Sequence, residues 1–136
     1  MSQYIPESFK VKVAERADFR CEYCFIHQRY STAFFEVDHI IAIKHGGKAV
    51  LENLAYSCQH CNRYKGTDLA TILDDEDTPV RLFHPRKHLW HEHFETTSGA
   101  IYGKTPIGKA TVKLLNFNIV ERIIGRQILQ EAGLYP

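Results

Sequence analysis

The chain has 136 residues, 44% of them hydrophobic and 24% charged, with a formal net charge of +1. That length predicts one domain with a modest core, and that composition excludes a disordered chain. Near-neutral charge excludes capture of nucleic acid by bulk electrostatics alone, so a polyanion would have to be met by local basic clusters.

The opening MSQYIPESFK lacks the apolar core of a signal peptide, and no apolar run approaches membrane-spanning length, so no membrane partner is expected. The expected compartment is the reducing cytoplasm. Pro6 and Glu7 suit a helix start, and Phe9, Val13 and Ala17 recur at every fourth position, which predicts an amphipathic helix over 6–17. Residues 18–25 are too cramped for a regular element and read as a knuckle. Residues 34–41 are aromatic and β-branched, a strand, and Gly46-Gly47 breaks the loop over 42–52. A second strand follows over 54–57. From Gln59 the pattern turns helical through Lys65 and towards Leu73, with Gly66 weakening its middle.

The acidic run DDEDTP at 74–79 reads as a linker loop. Residues 80–83 and 89–95 read as short strands, and Thr97-Ser98-Gly99 turns the second back into 100–102 as a hairpin. Thr105-Pro106 is a cap followed by proline at the first helical position, opening a helix over 106–115. A last helix over 118–132 places Ile119, Ile123, Ile124 and Ile128 on one stripe.

Cys21 and Cys24 form one Cys-x-x-Cys pair, and Cys58 and Cys61 the other. Two thiolates separated by two residues hold two corners of a tetrahedron from one tight turn, so the four predict a structural Zn²⁺. The 24–58 gap fits if a hairpin loops out between two knuckles that meet in space. Buried free thiols and a redox dithiol are the competing readings; two matched pairs disfavour the first, and the second needs a thioredoxin-like context that is absent.

Asp38-His39 after the strand, Asn53-Leu54 before the next, and Cys61-Asn62-Arg63-Tyr64-Lys65-Gly66 on the helix together resemble the HNH nucleases, over about residues 18–67. The resemblance implies an α+β fold: a ββα-metal core braced by the zinc site, with the N-terminal helix before it and the hairpin and two helices after it. It implies a divalent-metal-dependent endonuclease acting on DNA, with RNA also admissible, and a product carrying a 5′ phosphate. His39 would be the general base, since a neutral imidazole accepts a proton near pH 7. Asp38 and Asn62 would hold the catalytic ion through hard oxygens. Many members have histidine where this chain has Asn62; the amide gives a His-Asn-Asn variant and favours Mg²⁺ or Mn²⁺ over softer metals.

Asn53 would bond the backbone of the 42–52 loop and so orient His39; a plain turn-former is the other reading. Strand neighbours point to opposite faces, so Asp38 and His39 converge only where the strand bends. Lys44, Arg63 and Lys65 are candidate phosphate contacts, with solvated surface charge as the alternative. His60 lies about 200° around the helix from Asn62 and should point elsewhere.

His84, His88, His91 and His93 suggest a second metal, with His91 and His93 on one strand face. Trp90 and Phe94 make core packing the better account. The region from Arg81 onward, with LFHPR and WHEHF, resembles the C-terminal extension of small stand-alone prokaryotic HNH proteins. The whole chain, 1–136, reads as one nuclease domain with its core at 18–73 and the extension at 80–136. A non-catalytic zinc ribbon that binds nucleic acid or protein is the alternative. It is separated by whether Asp38, His39 and Asn62 share a solvent-open pocket.

Overall fold

The computed structural model describes residues 4–74 and 77–136, so part of the acidic run at 74–79 lies outside the described residues. The residues group into two compact units, 1–68 with 84–86, and 69–83 with 87–136. Each unit mixes helix and strand, and no described helix is long and apolar enough to cross a membrane.

In the first unit, α1 spans Glu7–Arg16, with Pro6 as its N-cap and Glu7 in its first turn. Acid at the start and Arg16 at the end both suit the helix dipole. Arg16 also leaves the helix to donate to the carbonyls of Leu51 (3.1 Å) and Leu54 (2.7 Å). Val13 meets Leu54 and Tyr56 in the core, with Phe9, Phe35 and Val37 packed around them.

The strand expected over 34–41 is shorter: β1 is Glu36–His39, paired antiparallel with β2, Leu54–Ser57. His39 lies opposite Leu54, and Glu36 opposite Ser57. Beyond His39 the chain bends into a 3-10 turn, Ile43–His45, and Phe34 stands in solvent before the strand begins. Helix α2 is Gln59–Lys65, and it stops there: Gly66 takes φ +50°, so the helical pattern does not run on towards Leu73.

In the second unit Ala70–Thr71 is a strand, β3, paired with β4 at Val80–Arg81. The strand expected over 89–95 is instead one helical turn, α3 at Trp90–His93, followed by β5 at Phe94–Thr97. His91 and His93 therefore share no strand face. Trp90 and Phe94 anchor the turn, and both are buried with Phe83, Ile101, Leu115 and Phe117. The hairpin closes through β6, Ala100–Gly103. Helix α4, Pro106–Leu114, opens as expected, with the Thr105 hydroxyl accepting from Gly108 N (3.1 Å).

Helix α5, Val120–Glu131, corrects the expected apolar stripe. Ile124 and Ile128 are exposed, whereas Arg126 is 0% exposed. Its guanidinium donates to the carbonyls of Gly99 (2.6 Å) and Phe117 (2.7 Å) and to Asn118 Oδ1 (3.0 Å). A buried charge is tolerated only when hydrogen-bonded in this way.

Candidate active site and metal centre

The first cysteine pair sits on a turn framed by the Arg20–His27 bridge and by Cys21 N donating to Ile26 O (2.8 Å). Phe25, at φ +71°, closes it. Cys21 Sγ accepts from the amides of Tyr23 and Cys24, both at 3.4 Å. The second pair opens α2: Cys58 is its N-cap, its Sγ accepting from Cys61 N (3.4 Å). All four thiols are buried, and their sulfurs lie within 4.8 Å of one another.

The Cys24–Cys58 sulfurs are 3.7 Å apart, far beyond a disulfide bond of about 2.05 Å. Four zinc–sulfur bonds of about 2.3 Å at tetrahedral angles place sulfurs about 3.8 Å apart. The geometry therefore fits a structural zinc-type centre. Burial pushes the Cys21 and Cys61 thiols well above their usual range, so loading the site must release protons.

The helix capped by Cys58 faces β1. Glu36 and Asp38, two apart on the strand, lie on one side of it, and each meets α2. The Asn62 amide donates to Glu36 Oε2 (2.7 Å), and Lys65 Nζ stands 3.4 Å from Asp38 Oδ2. Lys65 is only 2% exposed, and its ammonium also donates to His39 O (3.2 Å). It is thus turned inward against Asp38, while Arg63 and Lys44 are exposed. Burial holds the Asp38 carboxyl above its ordinary range, although Lys65 pulls it back down.

His39 ends the strand, and its Nε2 is buried with no hydrogen-bond partner among the described residues. Asn53 fixes the turn that follows. Its Oδ1 accepts from Ile41 N (2.9 Å), and its Nδ2 donates to the carbonyls of Ile41 and Lys48, both at 3.0 Å. Gly47 has no room for a side chain: a Cβ there would stand 1.7 Å from Ile41 O and 2.9 Å from Asn53 Nδ2.

A depression of about 290 Å³ is lined by Asp38, His39, Ile43, Lys44, Gly66 and Thr67. Asn62 is not part of that lining; it lies on α2, engaged with Glu36. His39 also lines a larger groove of about 760 Å³ with Val11, Phe19, Phe35, Val37 and Tyr56. Two residues of this neighbourhood escaped the sequence reading. Glu36 was legible in principle from the two-residue strand period before Asp38. Tyr23 was not: burial first, then the nearby Asp38 charge, hold its phenol well above the usual range, and only the fold brings these two together.

Two antiparallel strands and one helix, with four clustered cysteines at the helix start, form the ββα arrangement expected from the sequence. Residues 21–68 match the family model described as HNH endonuclease. Over 122 residues the chain is 26% identical to the Septu protein PtuB of Bacillus thuringiensis, covering 88% of this chain and 45% of that protein. The chain thus spans less than half the length of this relative. No solved structure matches it.

Proposed function

We propose that the chain, as one functional domain over 1–136, is a divalent-metal-dependent endonuclease that hydrolyses phosphodiester bonds of DNA. The carrying observation is His39 Nε2, a buried ring nitrogen with no hydrogen-bond partner among the described residues, beside a partly desolvated carboxylate that lines the same depression. In this reading His39 takes the proton from the attacking water. A positioned base is worth about 10²–10⁴-fold. Asn53 acts on the same step indirectly, by holding the turn that aims the imidazole.

Asp38 offers a hard oxygen at the depression, whereas Asn62 lies outside that lining with its amide nitrogen on Glu36; a shared ion would need the Asn62 oxygen to turn towards Asp38. A bound Mg²⁺ or Mn²⁺ would supply charge relief on the phosphoryl oxygens and the departing 3′ oxygen. Lys65 orients Asp38 and partly offsets the burial that disfavours its charge, and Lys44 and Arg63 are exposed for phosphate contact. The zinc centre has no part in the chemistry; it holds the first helical turn of α2, and so the rail on which Asn62 and Lys65 stand.

A supercoiled-plasmid nicking assay with Mg²⁺ or Mn²⁺ tests this. His39→Ala should lose about 10²–10⁴-fold in rate with zinc content and fold unchanged. Equal cleavage by wild type and His39→Ala would return the unit to a non-catalytic zinc-braced binding module.

A further inference from the structure

Just before β1 the chain builds a surface that neither the zinc centre nor the hydrolytic residues use. Gln28–Tyr30 forms a single 3-10 turn, and the chain then runs through Thr32 and Phe34 into the strand. Between them lies a depression of about 380 Å³ lined by Arg29, Ser31, Thr32, Phe34, Phe35 and Tyr56, with Gln28. Phe34 is 91% exposed. Scattered apolar residues in solvent are ordinary, but a bare aromatic ring on the rim of a polar-and-aromatic hollow is informative.

The wall behind Phe34 is firm. Phe35 and Tyr56 pack with ring centroids 5.4 Å apart, Phe19 meets Tyr56 edge-on at 6.5 Å, and the Tyr56 hydroxyl donates to Gln28 Oε1. Arg29 is exposed and pairs with no carboxylate among the described residues. No carboxylate lines this hollow, whereas Glu7, Glu15 and Glu36 line the larger groove beside it. Aromatic faces, one guanidinium, the hydroxyl of exposed Thr32 and no carboxylate in the lining are the complement of a nucleotide. The volume falls in the range of small-ligand sites.

The hollow and the candidate active site are linked through shared lining residues. Phe35 and Tyr56 line both it and the larger groove, and His39 lines both that groove and the Asp38 depression. From Phe35 to His39 is four residues of extended chain, about 13 Å. We propose that this hollow receives an unpaired base of the nucleic-acid substrate, stacked on Phe34 with a phosphate on Arg29. The preferred substrate therefore has a single-stranded segment beside the bond to be cut. A base paired within a duplex is stacked on both faces and offers none to Phe34; an unpaired one does. This proposal rests on the nuclease reading only for what happens at His39, not for binding.

The test is fluorescence anisotropy on the zinc-loaded full chain without added Mg²⁺ or Mn²⁺. The probe is a labelled oligothymidylate on the order of ten nucleotides, used alone, in a duplex, and with its bases removed. Wild type should bind the single strand more tightly than the duplex. Phe34→Ala should weaken single-strand binding about 5- to 150-fold, and Phe34→Trp should restore it with quenched indole emission. The abasic strand should cost wild type as much as Phe34→Ala does, and cost that variant nothing further. Arg29→Gln should reduce the salt slope on the single strand by about 0.7.

Unchanged single-strand affinity in Phe34→Ala overturns the proposal. So does an equal loss on duplex, which would make Phe34 a wedge, or a Phe34-dependent shift in sedimentation alone, which would make the hollow a contact between copies. If Phe34-dependent binding appears but no substrate is cut, the nuclease reading falls and this site stands. Cleavage without Phe34-dependent binding is the reverse.

Discussion

The Asp38 carboxyl is held above its ordinary value of 3.8 by burial, with Lys65 only partly offsetting it. An acid whose folded pKa exceeds its unfolded one contributes stability that is complete below the unfolded value and is lost as pH rises through the folded one. Ionised Asp38 is therefore a cost to the fold when no exchangeable ion is present. Without added divalent ion, Asp38→Asn should gain stability relative to wild type as pH climbs from about 4 towards 7, read as urea midpoints, from an offset set by the Lys65 pair that the variant breaks. Added Mg²⁺ or Mn²⁺ should restore wild type alone. A wild type that gains on the variant across that window, with no ion added, would refute this balance. Lys65→Met tests the opposing term: it removes one member of an ion pair whose lysine is buried. It should cost about 3 kcal/mol, the low end for such pairs because Asp38 keeps some solvent contact.

Among the elements, the turn after β1 is the one that Asn53 and Gly47 make. Asn53→Ala forfeits three hydrogen bonds, about 2–3 kcal/mol at ordinary net values. Asn53→Asp should be no better at neutral pH, since it turns a carboxylate towards two carbonyls. Thermal denaturation of both variants checks this; a fully stable Asn53→Asp would mean that the donors are dispensable. This lock was legible in the sequence as an Asn before a strand and a Gly-Gly in the loop ahead of it. β2 was legible too, because an all-buried strand bounded by Asn53 and Cys58 has little freedom. β1 read too long because Phe34 and Phe35 look like strand, yet the ladder begins at Glu36. The inward turn of Lys65 and the burial of Arg126 were not legible. Each depends on carbonyls or a carboxylate supplied from far along the chain, and residue type alone signals the surface.

For the molecule as a whole, metal and fold are separable by spectroscopy. Trp90 is the single tryptophan and lies buried in the second unit, whereas the four thiols lie in the first. Stripping zinc with a strong chelator, or Cys58→Ser, should unfold residues 4–68 while Trp90 emission stays blue-shifted. Emission that reddens in step with zinc loss would show one cooperative body. Arg86 adds a different consequence. It donates to the Glu22 carboxylate, whose other oxygen accepts from Tyr56 N (2.8 Å), yet it arrives only after the chain has passed through 69–83 of the second unit. The segment matched by the family model ends at 68. A graft that stops at 68 would strand Glu22 without its guanidinium, so the border of the first unit is drawn by threading order and not by motif.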